Sequence, residues 1–177
     1  MIRSNLNLFL WGSVIVAVDI RVEPLDIAPD FLGYAFILGA TIALGRIERA
    51  FATAVPLAVI ALFVSIPNMS NWKGGVWDLL QLVEVALQIL IVWYVCTGVM
   101  HLASTQSNAG LFQTAVQQRT LSFVAGAAAV AVGGIARFSP TLAMSLSVLV
   151  LMLGIVAGVL LLLMLRRAAR ELSPGFD

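Results

Sequence analysis

Charge is what this chain has least of. Only 11% of its 177 residues are Asp, Glu, Lys or Arg, against 61% hydrophobic residues and a mean hydropathy of +1.03. An average soluble domain carries about 25% charged residues. A small domain buries only part of the surface its chain exposes, so this composition excludes water as the sole solvent. The net charge of +1 excludes the basic field of a nucleic-acid binder. One cysteine, Cys96, excludes an intrachain disulfide and a cysteine-rich metal centre. One histidine, His101, excludes bis-histidine haem ligation within the chain. A Walker lysine loop, GxSxG, HExxH and the dinucleotide fingerprint are all missing. No catalytic residue, metal or cofactor is therefore assigned. A small-x-small cleavage pattern is also missing after the first apolar run, which ends at Asp19. That run reads as a retained span and not as a signal peptide. Lys73 is the only lysine beside nine arginines, and alanine is abundant, a bias that points to a GC-rich bacterial genome.

What is present in quantity is long apolar runs. A bilayer core about 30 Å thick needs about 20 apolar residues per helix, with roughly 17–25 allowed. Six segments qualify, at about 6–22, 30–46, 50–66, 77–100, 120–137 and 142–165. The runs are continuous and not alternating, so the expected fold is all-α: one transmembrane helix bundle over residues 1–177. The first three runs are short, and five full spans is the alternative. With six spans, the short loops place seven arginines on one side and three basic residues on the other. The positive-inside rule then puts both termini in the cytoplasm, and the chain in the bacterial cytoplasmic (inner) membrane. The stretch 101–119 reads as the longest connection, with a short surface helix in it. Gly39 (with Ala35 and Ala43), Gly133 (with Ala125 and Ala129), and the pair Gly154 and Gly158 recur at four-residue spacing. Small residues so spaced let helices approach closely, within the bundle or at a homodimer seam.

The few charged residues are unevenly placed. Asp19, Glu23, Asp26 and Asp30 cluster in "DIRVEPLDIAPDF", between the first two spans, and Asp78 falls on the same side. Pro29 suits a first helical turn, Asp30 the positive end of a helix, and Asp26 a connecting turn. Asp19 is either part of an interfacial ion-pair network with Arg21 or Arg137, or a functional carboxylate that binds a cation or a basic substrate group. On the fourth span Asp78, Gln81, Glu84 and Gln88 recur every three to four residues and form one polar stripe. Intramembrane ionisable residues are functional candidates by default. The stripe either lines a cavity or makes a hydrogen-bonded seam. Asp19, Asp30, Asp78, Gln81, Glu84 and Gln88 are the candidate ion or ligand site.

"LDIAPDFLGYAFILGA" (25–40) resembles a group of uncharacterised small bacterial membrane proteins with an LPDFIGY-like motif after a short first span. The resemblance rests on Asp26, Pro29, Asp30, Phe31, Gly33 and Tyr34, and Ala28 stands where a leucine is usual. It implies a polytopic membrane protein and carries over no catalytic residue. Three functions are expected from different classes. The first is an accessory or assembly subunit of a larger membrane complex. The second is a small transport-related or substrate-binding membrane subunit. The third is a membrane enzyme acting on lipid groups. Expected partners are the lipid bilayer and a membrane protein or second copy, with no nucleic acid.

Overall fold

The computed structural model describes residues 1–17, 21–22, 25–26, 30–66, 75–136 and 138–172. Six helices make up nearly all of them: α1 (Ile2–Ala17), α2 (Asp30–Gly45), α3 (Arg49–Ser65), α4 (Gly75–Thr105), α5 (Ala109–Ala136) and α6 (Pro140–Glu171). Two two-residue strands, β1 (Arg21–Val22) and β2 (Leu25–Asp26), pair antiparallel, with Arg21 opposite Asp26. The residues 79–105 of α4, together with α5 and α6, are long and apolar enough to cross a membrane. α2 and α3 are apolar but shorter. At 1.5 Å per residue, α1 to α3 run about 25 Å and α4 to α6 about 42–48 Å.

Local chemistry sets the helix ends. Glu48 caps α3 and accepts a long bond from the Ala50 N–H at 3.4 Å. Pro140 opens α6 at a position where its missing N–H costs nothing. Residues 101–119, expected as the longest connection, are helix except for a turn at 106–108. A hydropathy scan registers composition, and a helix that runs on into polar sequence looks like a loop to it. The turn itself closes by backbone geometry. Ser107 adopts a left-handed φ of 56°. Asn108 N–H then bonds the Ala103 carbonyl and Ser107 N–H the Ser104 carbonyl. This is a Schellman closure with serine where glycine is usual. Asn108 Oδ1 next accepts from Leu111 N–H at 3.0 Å and so starts α5.

Each helix packs on its neighbours in the chain, and α6 returns to pack on α1, so the six close into a ring. The core runs through that ring, from Leu6 and Phe9 on α1 through Tyr34, Phe51 and Ile91 to Met164 and Leu165 on α6. Two close approaches depend on missing side chains. A Cβ on Gly33 would stand 2.8 Å from the Gly12 carbonyl oxygen, and one on Gly12 would stand 2.7 Å from the Gly33 carbonyl oxygen. The backbones of α1 and α2 therefore touch. At Gly98 on α4 a Cβ would meet the Phe51 ring at 2.5 Å. The N-terminal half of α6 is different, since Met144, Leu149, Leu151 and Met152 are all more than 60% exposed. Such a surface suits lipid.

Candidate functional site

Asp30 and Tyr34 stand four residues apart on α2, and Glu84 and Gln88 four apart on α4. That spacing puts each pair on one helix face. The Gly12–Gly33 contact fixes the height of α2 against α1 and sets Tyr34 into the ring with no exposed surface. The Tyr34 hydroxyl lies in the electrostatic reach of Glu84 and, more weakly, of Asp30. Glu84 is only 9% exposed. Both carboxylates are engaged in polar interactions. The opening motif and the fourth helix thus meet in the interior.

Several buried or half-buried hydroxyls among the described residues are satisfied within their own helix. Ser13, Thr41, Ser65 and Thr97 each donate to a carbonyl three or four residues back, at 2.8–3.0 Å. The Tyr34 hydroxyl differs: it is buried, and the polar side chain it faces is Glu84 on α4. A phenol is too long to fold back onto its own backbone, so its donor stays directed away from α2.

Tyr34 borders a pocket of about 890 Å³ between α1, α2, α4, α5 and α6, which is open along the exposed α6 residues Val148, Leu151 and Ile155. Ser13, Tyr34, Gln88 and Ser147 bring polar atoms to it, and Phe9, Ile37, Ile91, Leu151 and Leu161 are among its apolar walls. A smaller pocket of about 290 Å³ also borders Gln88, Gly154 and Gly158. A Cβ at Gly154 or Gly158 would meet nothing within 4 Å. These two glycines widen the space beside α6 and do not seat a helix of this chain. A largely apolar cavity of this size with a few polar groups is the usual form of a small-molecule site.

The remaining candidates fall elsewhere. Gln81 is exposed, because the stripe it shares with Gln88 is uncovered at that level. Asp26 lies in β2 and Asp78 in the first turn of α4, and their side chains are outside the described residues. Asp19, Glu23 and Pro29 are also outside the described residues. Gly133 packs closely on Leu82, whereas Gly39 makes only an ordinary contact with Leu8. No group of three or more His, Cys, Asp or Glu side chains that could hold a metal occurs among the described residues.

The contacts of four polar residues, Gln118, Arg119, His101 and Asn108, escaped the reading of the sequence. Gln118, 3% exposed, donates from Nε2 to the Ala157 carbonyl oxygen at 2.7 Å and to Ser122 Oγ at 2.9 Å, which ties α5 to α6. Arg119 lies 4.4 Å over the Trp93 ring, and its Nη1 donates to Thr97 Oγ1 at 3.4 Å. The run "QQR" (117–119), abutting an apolar stretch, was the available signal. At the end of the ring where the chain turns from α4 to α5, His101 Nδ1 lies 3.1 Å from Glu48 Oε1. There too, Asn108 Nδ2 donates to Glu171 Oε2 at 2.7 Å.

Comparison with protein-family models, curated proteins and solved structures gives no match to this chain. The fold by itself defines a class: a helical protein with six helices among the described residues, three of them long and apolar enough to cross a membrane.

Proposed function

We propose that the chain is a multipass protein of the bacterial cytoplasmic membrane that binds an apolar small molecule inside its ring of helices. Six crossings with both termini on the cytoplasmic side fit the serial contacts of the helices and the arginines gathered at one end. The observation that carries the reading is the largely apolar pocket of about 890 Å³ with the Tyr34 hydroxyl and the Gln88 amide on its wall. A ligand oxygen at the Tyr34 hydroxyl or the Gln88 amide would gain a hydrogen bond worth about 0.5–1.5 kcal/mol. The ligand is then a long apolar body with one hydrogen-bond acceptor, the substrate of a small binding or transport-related subunit.

Native mass spectrometry of the protein released from mild detergent tests this reading. A small molecule should remain bound to the wild-type chain. Tyr34→Phe should weaken its retention by about two- to tenfold, the worth of one hydrogen bond. Gly158→Leu, which fills the cavity from α6, should abolish it. A wild-type chain that carries no molecule and takes up no apolar probe dye would remove the basis for a ligand.

A second reading, an accessory subunit of a larger membrane complex, draws on the open faces of Gly154 and Gly158, where a helix of another chain would approach closely. Gentle extraction followed by mass analysis separates the two. A monodisperse free monomer would count against the subunit reading and leave the ligand reading intact.

A further inference from the structure

A groove of about 370 Å³ runs along the seam of α5 and α6, away from the central cavity. Its lining is graded. Arg167 and Thr114 stand at one end, Gln117 and Gln118 follow, and Leu121 and Leu160 lie at the other. The grading follows from the two sequences. On α6, Leu160, Leu163, Arg167 and Arg170 recur at spacings of three and four and share a face. On α5, Thr114, Gln117 and Leu121 do the same in the reverse direction. The helices run antiparallel, so their polar ends coincide, and Arg167 Nη1 donates to Thr114 Oγ1 at 3.3 Å. Leu160 lies about 10 Å further along the axis than Arg167, at 1.5 Å per residue.

The charge at the polar end is unbalanced. Arg166, Arg167 and Arg170 stand there with a single carboxylate, Glu171, as their counter-charge on α6. Glu171 already accepts from Arg167 Nε at 2.6 Å and from Asn108 Nδ2 at 2.7 Å. A guanidinium has five N–H donors, and the bonds to Glu171 and Thr114 use two of those on Arg167.

We propose that this groove binds one anionic phospholipid. Its phosphate sits on Arg167 and Thr114 with Arg170 as a second positive charge, and one acyl chain lies along Leu163, Leu160 and Leu121. The exposed Gln117 amide faces the glycerol level between them. Basic pockets between membrane helices bind anionic headgroups in this way, and charge-assisted bonds to phosphate are the strong kind. The apolar half of the groove selects a lipid over a free phosphate ion. The inference rests on the membrane reading but not on any ligand in the central cavity.

The test uses the full chain in nanodiscs of phosphatidylcholine with graded phosphatidylglycerol, with bound lipid read by native mass spectrometry. The wild type should retain phosphatidylglycerol in preference to phosphatidylcholine. Arg167→Gln should lower that preference about tenfold, as expected for loss of a charged hydrogen-bonding partner. Leu163→Trp should block the chain half of the groove with all three arginines intact, and should also lower retention. If Arg167→Gln does not fold, Leu163→Trp and competition by inorganic phosphate on the wild type decide. Equal retention of the two lipids by the wild type overturns the proposal. So does displacement by millimolar phosphate, which marks a free-ion site, or full preference in Leu163→Trp. A chain that stays soluble without detergent overturns the membrane reading itself.

Discussion

Gly12 and Gly33 decide how close α1 and α2 come, and Tyr34 takes its place from that contact. Gly33→Ala puts a methyl 2.5 Å from the Val16 Cγ2 and 2.8 Å from the Gly12 carbonyl oxygen. A backbone oxygen cannot rotate away, so the helices must part. The expected cost is about 1–3 kcal/mol, the usual cost of overpacking, read by reversible denaturation in detergent. Gly154→Ala is the control, because its new methyl meets nothing. It should leave stability unchanged or raise it by up to about 1 kcal/mol through helix propensity. Gln118→Ala should cost about 1–2 kcal/mol, since it strips α5 of its bond to the Ala157 carbonyl. Trp93 fluorescence offers a further check: Arg119→Ala should change its emission, because the guanidinium stacks on that ring. That Glu84 and Gln88 would share one face of α4 was legible from their spacing. That Gly33 would face Gly12 was not, because one sequence shows which helices contain small residues and not which faces meet.

At the scale of the element, helices were easy to find and their ends were not. The apolar runs announce six helices because continuous hydrophobic sequence leaves few alternatives. Gln113, Gln117, Gln118 and Arg119 looked like loop residues, yet all lie on α5. Two of them reach a neighbouring helix: Gln118 bonds across to α6, and Arg119 lays its planar head on Trp93. The stop between α4 and α5 was also hidden, because serine occupies the left-handed position that glycine usually marks. Holding an L-residue there costs roughly 1–2 kcal/mol. Ser107→Gly should therefore stabilise the α4–α5 turn by about 1 kcal/mol, seen as a higher unfolding temperature. A fall in that temperature would mean that the serine hydroxyl contributes more than the backbone strain removes.

The whole molecule is a ring, and its closure by α6 on α1 joins the two ends of the chain. No periodicity in the sequence encodes that long-range contact, so neither the ring nor its cavity was legible beforehand. The meeting of the α2 motif with the α4 stripe is a product of the same closure. The ring is also lopsided. Three of its helices, α1 to α3, have 16–17 residues, while α4 to α6 have 28–32. With all six crossing, lipids beside the short side must compress to match it, while those beside the long side stay relaxed. Such mismatch costs a fraction of a kcal/mol per Å, and a thinner bilayer lowers it. Thermal stability in vesicles should accordingly be higher with shorter acyl chains, and a steady rise with chain length would contradict this. In a six-crossing arrangement, elastic strain confined to one flank would give the protein a direction in the plane of the membrane. Two such flanks would then gain by meeting, since each would shield the other from lipid that must otherwise be squeezed.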